Sequence, residues 1–374
     1  MSKRIIIAGG GTGGHIFPAI AIAGALQKLE PDIELLFVGA RGKMEMERIP
    51  QAGYRIEGLD IAGFNRSSLL KNIGLPVKLV RSFLQVGRIL RRFRPDAVIG
   101  VGGYSSFPVL RSAQSKGIPS FIHESNSFAG KSNILLGKKA TRIFVASDGM
   151  EKFFPAEKIL LTGNPVRRTI VEGQIPRDEA IRSFGLDPAK PTVFSTGGSL
   201  GAKGINEAIA AHPDDWGASG IQLIWQTGKP FAGRAREICQ GRSNIWTADF
   251  IPRMETAFSA ADVVISRSGA MSIAELCVVA KPVVFVPFPF SAEDHQTANA
   301  QHLVEKGAAL LIRDSEATAR LVDTAIALVG DDARRRQLAA SLGRLAVTDA
   351  ADRIAKEIIG TLAGGAAAVP GRVS

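Results

Sequence analysis

His15 closes a loop of five glycines and one threonine, Gly9-Gly10-Gly11-Thr12-Gly13-Gly14, that follows the apolar run Ile5–Ala8. An imidazole at the positive end of a helix is biased toward its neutral form, and only neutral imidazole can take up a proton. The loop satisfies G-x-G-x-x-G, and its backbone amides can close on a phosphate at a helix N-terminus. A dinucleotide enzyme would add an acid at the end of the next strand to hold a ribose. That place reads Val38-Gly39-Ala40-Arg41 and holds no acid. Arg41 could serve a 2′-phosphate, yet no nicotinamide-side chemistry is visible elsewhere, and the dehydrogenase reading falls away.

Further stretches of this kind follow other apolar runs. Gly100-Val101-Gly102-Gly103-Tyr104-Ser105-Ser106 is a second glycine loop, and His123-Glu124-Ser125-Asn126 is a polar cluster. Each alone is ordinary turn chemistry; together they suggest a site for a large polar ligand. In the second half, Ser195-Thr196-Gly197-Gly198-Ser199-Leu200-Gly201-Ala202 again offers amides and hydroxyls to a phosphate. Ser266-Arg267-Ser268-Gly269-Ala270-Met271-Ser272 opens another helix, with Glu275 one turn inside it. That carboxylate either complements the helix dipole or accepts the paired hydroxyls of a ribose. Phe288–Ala300, containing Asp294-His295-Gln296, enters a helix at the same rim.

No Asp-x-Asp occurs, no His or Cys cluster has metal-ligand spacing, and there is no Gly-x-x-x-x-Gly-Lys-Ser/Thr loop. A nucleotide diphosphate would then be neutralised by amides, hydroxyls and helix ends, with no metal and no cofactor. An ordinary ATPase is excluded. Cys239 and Cys277 stand far apart and read as small core residues in a reducing cytoplasm.

Short, β-branched runs that lack polar alternation, such as Ala97–Val101, Ile143–Ala146, Thr192–Ser195, Val263–Ser266 and Val283–Val286, read as strands buried on both faces of a parallel sheet. Helical patterns lie between them, at Pro18–Leu29, Leu75–Phe93, Gly204–Ala211, Met271–Val279 and Gln296–Lys306. The class is α/β, with two Rossmann-like parallel-sheet domains and a cleft between them. Pro165 holds Asn164 extended and marks the boundary. The expected division is 1–164, 165–348, a helix over 349–362 and a disordered tail over 363–374.

The chain of 374 residues is 45% hydrophobic and 22% charged, enough for a sizeable core, and no apolar run is long enough to span a membrane. Its net charge of +11 is uneven: residues 1–165 hold 23 bases and 12 acids, residues 166–374 hold 23 and 23. Residues 61–95 contain eight bases and no acid. Such a field attracts nucleic acid, an anionic membrane or a phosphorylated substrate. Within it Leu69, Leu70, Leu75 and Leu79 intersperse Lys71, Lys78 and Arg81. A packed amphipathic helix explains part of this pattern. A monotopic membrane patch also explains why the whole excess lies in one half.

Seven motifs, in order, carry a resemblance: Gly9–Pro18, Gly102-Gly103-Tyr104, His123-Glu124-x-Asn126, Gly163-Asn164-Pro165-Val166-Arg167, Gly197-Gly198-Ser199-x-Gly201-Ala202, Arg267-Ser268-Gly269-Ala270 and Asp294-His295-Gln296-x-Ala298-Asn299-Ala300. Over about residues 4–360 the chain resembles the MurG family of bacterial N-acetylglucosaminyltransferases. The resemblance implies a GT-B fold whose C-terminal helix crosses back to the first domain. It implies transfer of N-acetylglucosamine from UDP-N-acetylglucosamine to lipid I, giving lipid II for peptidoglycan, at the cytoplasmic face of the cell membrane. A membrane surface, not nucleic acid, is then the anionic partner. Donor contacts carried over by motif are Thr12, Gly13, Gly14, Asn126, Arg167, Ser199, Ile251, Ala270, Met271, Ser272, Glu275 and Gln296. The acceptor pyrophosphate would lie near Gly10, Gly11, Gly102, Gly103 and Tyr104. After Tyr104 the chain departs from the family pattern with Ser105-Ser106-Phe107-Pro108. The chemistry expected is direct displacement with inversion, His15 serving as general base and Glu124 standing as the next candidate.

Overall fold

The computed structural model describes residues 2–62, 75–291 and 294–364. In chain order the first elements are β1 (Arg4–Ala8), α1 (Gly13–Leu29), β2 (Glu34–Ala40), α2 (Glu45–Gln51), β3 (Ile56–Leu59), α3 (Leu75–Phe93), β4 (Ala97–Gly100), α4 (Ser106–Ser115), β5 (Ser120–Glu124), α5 (Lys131–Gly137), β6 (Arg142–Val145) and β7 (Ile159–Leu161). Then come α6 (Arg168–Glu172), α7 (Arg177–Ser183), β8 (Thr192–Thr196), α8 (Lys203–Ala211), α9 (Asp215–Ala218), β9 (Gln222–Gln226), α10 (Ala232–Cys239), β10 (Ile245–Ala248), α11 (Met254–Ala260), β11 (Val263–Ser266), α12 (Ala270–Val279), β12 (Val283–Phe285), α13 (His295–Glu305), β13 (Leu310–Leu311), α14 (Ala317–Gly330), α15 (Asp332–Gly343) and α16 (Ala350–Gly364).

Two compact units result. One runs to Pro165 and includes the chain from Asp349 onward; the other is Val166–Thr348. The first holds a sheet of order β3-β2-β1-β4-β5-β6-β7, the second one of order β10-β9-β8-β11-β12-β13, and every pairing is parallel. Both orders reverse once, at β1/β4 and at β8/β11. At such a switch point the loops leaving the two strands diverge and open a place for a ligand at the carboxyl ends.

Alternate residues of the central strands feed opposite cores. Ile5 and Ile7 pack with Ile16 and Ile22 of α1 and with Ile354 and Ile358 of α16, while Ile6 and Ala8 pack with Val86 and Leu90 of α3 and Leu110 of α4. In the second unit Val193 meets Ile205 and Leu321, and Phe194 meets Phe258 and Leu276. Burial on both faces is why these strands lack polar alternation.

The elements differ most from the sequence expectation at α1 and α16. Helix α1 begins at Gly13, before Pro18. The helical pattern runs from Pro18, but Pro18 is interior, and the turn before it is held because Thr12 O accepts from both His15 N and Ile16 N. Helix α16 continues to Gly364, so Ala363 and Gly364, assigned to the tail, are helical. The rest of the expected tail lies outside the described residues, as do Leu69, Leu70 and Lys71.

Candidate active site

At the first switch point the loops after β1 and β4 touch backbone to backbone. A Cβ on Gly103 (φ +84°) would stand 2.4 Å from Gly10 O, and one on Gly102 (φ +98°) 2.6 Å from His15 Cδ2 and 2.7 Å from its Nε2. Only glycine allows this approach with positive φ. The imidazole edge carrying Nε2 therefore lies against the β4–α4 loop. Tyr104 reaches the same corner: its ring would be 3.8 Å from a Cβ on Gly11. Ser106 Oγ donates to Gly103 O at 2.7 Å and fixes the loop's far side.

His15 Nδ1 lies 3.1 Å from Gly10 O. A carbonyl oxygen can only accept, so Nδ1 carries the hydrogen and, in the neutral ring, Nε2 holds the free lone pair. Desolvation of the ring lowers the His15 pKa from its ordinary value; the Gly10 bond and the Glu124 and Glu45 charges pull the other way but do not win. The ring is thus neutral at pH 7, chiefly through burial.

Glu45 was not singled out in the sequence. It starts α2, is 1% exposed, and its carboxylate lies beneath the first loop. Oε2 accepts from Gly11 N and Oε1 from Ala40 N, both at 2.9 Å. A Cβ on Gly10 would collide with Oε1 at 2.2 Å and one on Gly39 with Cγ at 2.5 Å, so these glycines make the space. The acid sought at the end of the second strand is therefore here, five residues past Ala40, and it holds protein amides. The Gly11 amide is therefore already spent on a carboxylate and is withdrawn from the expected phosphate cradle.

Glu124 ends β5. Its two oxygens accept from Asn126 N (3.2 Å), Asn126 Nδ2 (3.3 Å), Gly130 N (3.0 Å) and Asn133 Nδ2 (2.9 Å). Four donors on one carboxylate tie down the loop that carries Asn126. Next to it His123 is buried, with Ser125 Oγ 3.4 Å from Nδ1. Burial pushes its pKa down to about 4; the Gly163 main chain opposes this and His15 adds to it.

The second switch point is furnished differently. The loop after β8 is fastened by polar side chains: Thr196 Oγ1 donates to Gln226 Oε1 (2.5 Å), Gln226 Nε2 to Gly198 O (3.0 Å) and Gly198 N to Thr196 Oγ1 (3.2 Å). Gly201 (φ +77°) admits no Cβ, which would fall 2.0 Å from Thr227 O. After β11, Arg267 turns inward, donating to Val286 O (2.9 Å), Pro287 O (2.8 Å) and Asp314 Oδ1 (2.5 Å). Ser268 Oγ donates to Gln296 O (2.8 Å), and Gln296 Oε1 accepts from Phe288 N (3.0 Å). These bonds tie the loop after β12 and the start of α13 to the start of α12. Glu275 sits on the first turns of α12 and receives Arg167 Nε at 3.0 Å and Nη2 at 2.9 Å, both on Oε1. With about a tenth of each side chain exposed, this pair is nearly dry.

The expected donor residues divide between the units. Thr12, Gly13, Gly14 and Asn126 belong to the first, the remainder to the second. Within the second, Ala270, Met271, Ser272 and Glu275 share α12, Gln296 is tied to it through Ser268, and Arg167 through Glu275. Ser199 lies in the loop after β8, next to the β11 exit. Ile251 is 3% exposed and packs in the core of the second unit.

Helix α3 changes character along its length. Val86, Ile89 and Leu90 are core residues, whereas Val77 (56%), Val80 (61%) and Leu84 (61%) are exposed beside exposed Lys78 and Arg81. Leu79 is exposed and Leu75 partly so. No helix among the described residues is long and apolar enough to cross a membrane.

Two all-parallel sheets, each with a loop-built switch point, are the architecture of the GT-B class, and the family models that match the chain are those of glycosyltransferases. The model of the glycosyltransferase family 28 N-terminal domain matches residues 5–145 and that of the family 28 C-terminal domain residues 192–354. The chain is 52% identical over 358 residues to a protein of Phocaeicola vulgatus and 51% identical over 358 residues to one of Parabacteroides distasonis. Each match covers 95% of this chain, and 95% and 97% of the respective relative. Both are named UDP-N-acetylglucosamine–N-acetylmuramyl-(pentapeptide) pyrophosphoryl-undecaprenol N-acetylglucosamine transferase. The crystal structure of Acinetobacter baumannii MurG superposes with a TM-score of 0.70 at 27% identity, covering 96% of this chain and 99% of that one. The chain belongs to glycosyltransferase family 28 and, within it, to the MurG family of N-acetylglucosamine transferases.

Proposed function

We propose that this chain moves N-acetylglucosamine from UDP-N-acetylglucosamine to the muramoyl 4-hydroxyl of undecaprenyl-pyrophosphoryl-muramoyl-pentapeptide, with His15 as the general base. The observation that carries the base assignment is the hydrogen bond from Nδ1 to Gly10 O, which leaves the Nε2 lone pair toward the β4–α4 loop. The acceptor oxygen forms a bond to the anomeric carbon as the bond from that carbon to the β-phosphate oxygen breaks. The hydroxyl proton passes to Nε2, and UDP leaves with the electron pair, inverting the centre. Glu124 anchors the Asn126 loop and moves no proton.

On the second sheet, Glu275 accepts the ribose hydroxyls through the oxygen that Arg167 does not hold. The diphosphate meets the amides near Ser199 and at the start of α12, where the helix dipole favours negative charge. Gln296 stands beside them for the sugar. The acceptor pyrophosphate lies near Gly10, Gly102, Gly103 and Tyr104, the Gly11 amide being engaged by Glu45. The exposed basic and apolar residues at the start of α3 support a peripheral seat on the anionic cytoplasmic face of the membrane. Incubation with UDP-N-acetylglucosamine and lipid I, followed by mass spectrometry, should give the disaccharide lipid and UDP. An unchanged acceptor after long incubation would refute the reading.

A further inference from the structure

One peptide group links Glu45 to His15. The Gly10–Gly11 peptide presents its N–H to Glu45 Oε2 at 2.9 Å and its C=O to His15 Nδ1 at 3.1 Å. We propose that Glu45 is a positioning residue for the transfer reaction, acting on His15 through this peptide: carboxylate, amide, imidazole. The inference rests on the proposal that His15 is the base, and gives that base its orienting group.

In the familiar hydrolytic triad the orienting carboxylate touches the imidazole directly, fixing the tautomer and stabilising the cation that forms. Here an amide lies between. A carboxylate accepting from an N–H polarises the whole peptide and makes its oxygen a better acceptor, because hydrogen bonds in a chain strengthen one another. That oxygen selects the Nδ1–H tautomer. When Nε2 takes the acceptor's proton, the Nδ1–H···O=C bond tightens and the ring's positive charge faces a buried negative one. The proton stays on Nε2 and the peptide keeps its own hydrogen, so no proton passes to Glu45. The sequence is built around this geometry. Gly10 and Gly39 leave room for the carboxylate, and Gly102 leaves room for the ring. Glu45 also grips Ala40 N, so the end of β2 holds the relay still.

The groups facing His15 are Glu45 from α2, Glu124 and His123 from β5, and the Tyr104 loop. Removing the Glu45 charge takes away one influence that raises the His15 pKa. Glu45→Gln should therefore lower kcat by about 10–100-fold, less than the ~10⁴-fold loss at a directly bonded triad carboxylate. It should also move the acidic limb of the kcat/KM profile to lower pH and leave UDP affinity unchanged. Placed in His15→Ala, the same change should cost at most about twofold more. A fully additive loss, or an acidic limb that stays in place, would overturn the relay. Near-normal turnover in His15→Ala alone would instead sink the base assignment. Should Glu45→Gln not fold, ¹⁵N chemical shifts of His15 in the wild-type protein decide. Hydrogen on Nδ1 at neutral pH supports the relay, and hydrogen on Nε2 contradicts it.

Discussion

The two switch points are the same construction put to different use. Each has a glycine loop after the first strand of its sheet, and each has glycines that sit where a Cβ would strike backbone. Around His15 the fixed charges are carboxylates, Glu45 and Glu124, and the loop amides they engage are withdrawn from any ligand. Around Glu275 the fixed charges are arginines and acids in pairs, Arg167 with Glu275 and Arg267 with Asp314, while a ten-residue helix begins at Ala270. A buried negative field suits a group that must become cationic for an instant. Paired charges at a helix start suit a ligand that is anionic all the time and also carries hydroxyls. Fold alone does not allot these roles; the side chains placed under the loops do.

That contrast can be broken from either side. The largest effect belongs to His15→Ala, which should cut kcat by ~10²–10⁴-fold, the usual contribution of a general base. Single-turnover kinetics with saturating donor would measure it. Next comes Glu275→Ala. Ligand hydroxyls left without their acceptor cost ~1–3 kcal/mol, so UDP and UDP-sugar should both bind roughly 5–150-fold more weakly by calorimetry. Equal UDP affinity would return Glu275 to a mere dipole-complementing role.

Reversing Lys78 and Arg81 to Glu acts on neither switch point. At about 1 kcal/mol per base near an anionic surface, vesicle binding should weaken by roughly thirtyfold or more. Raised salt should weaken wild-type binding in the same direction. Salt-independent binding that survives the reversal would remove α3 from the membrane surface.

His123 offers a smaller test through stability. Its folded pKa of about 4 lies below the ordinary 6.5, so the unfolded chain binds the extra proton first as pH falls. Stability present above pH 6.5 should decline between there and about 4, then level off. Denaturant titrations should show a shallower decline in His123→Gln. The smallest expected effect is that of a chelator: with no Asp-x-Asp to hold a metal, UDP affinity should stay within error.

Much of this was legible beforehand. Central strands declared themselves as unbroken β-branched runs, and Val263–Ser266 and the helix Leu75–Phe93 match their elements end to end. Edge strands did not. Ile56-Glu57-Gly58-Leu59 mixes polar and apolar residues because only Leu59 is buried, and Leu310–Leu311 is too short to carry a pattern. His15 and Glu275 stood out because glycines and helix starts lie beside them in sequence. Glu45 and Asp314 did not, since Gly11 and Arg267, the partners that bring them to the sites, are reached only through sheet order. Glu45 meets Gly11 across 34 residues because β2 is hydrogen-bonded to β1, and Asp314 meets Arg267 across 47. A glycine at the end of β2 followed by acids at the start of the next helix, Glu45 and Glu47, was the available signal.

The division of labour is tested most directly by titrating UDP into His15→Ala in a calorimeter, using the preparation whose turnover has been shown to fall. The account predicts a Kd within about twofold of wild type, because the nucleotide is held by residues around α12. A Kd that rises in step with the lost turnover would contradict it, and would make His15 a nucleotide-binding residue.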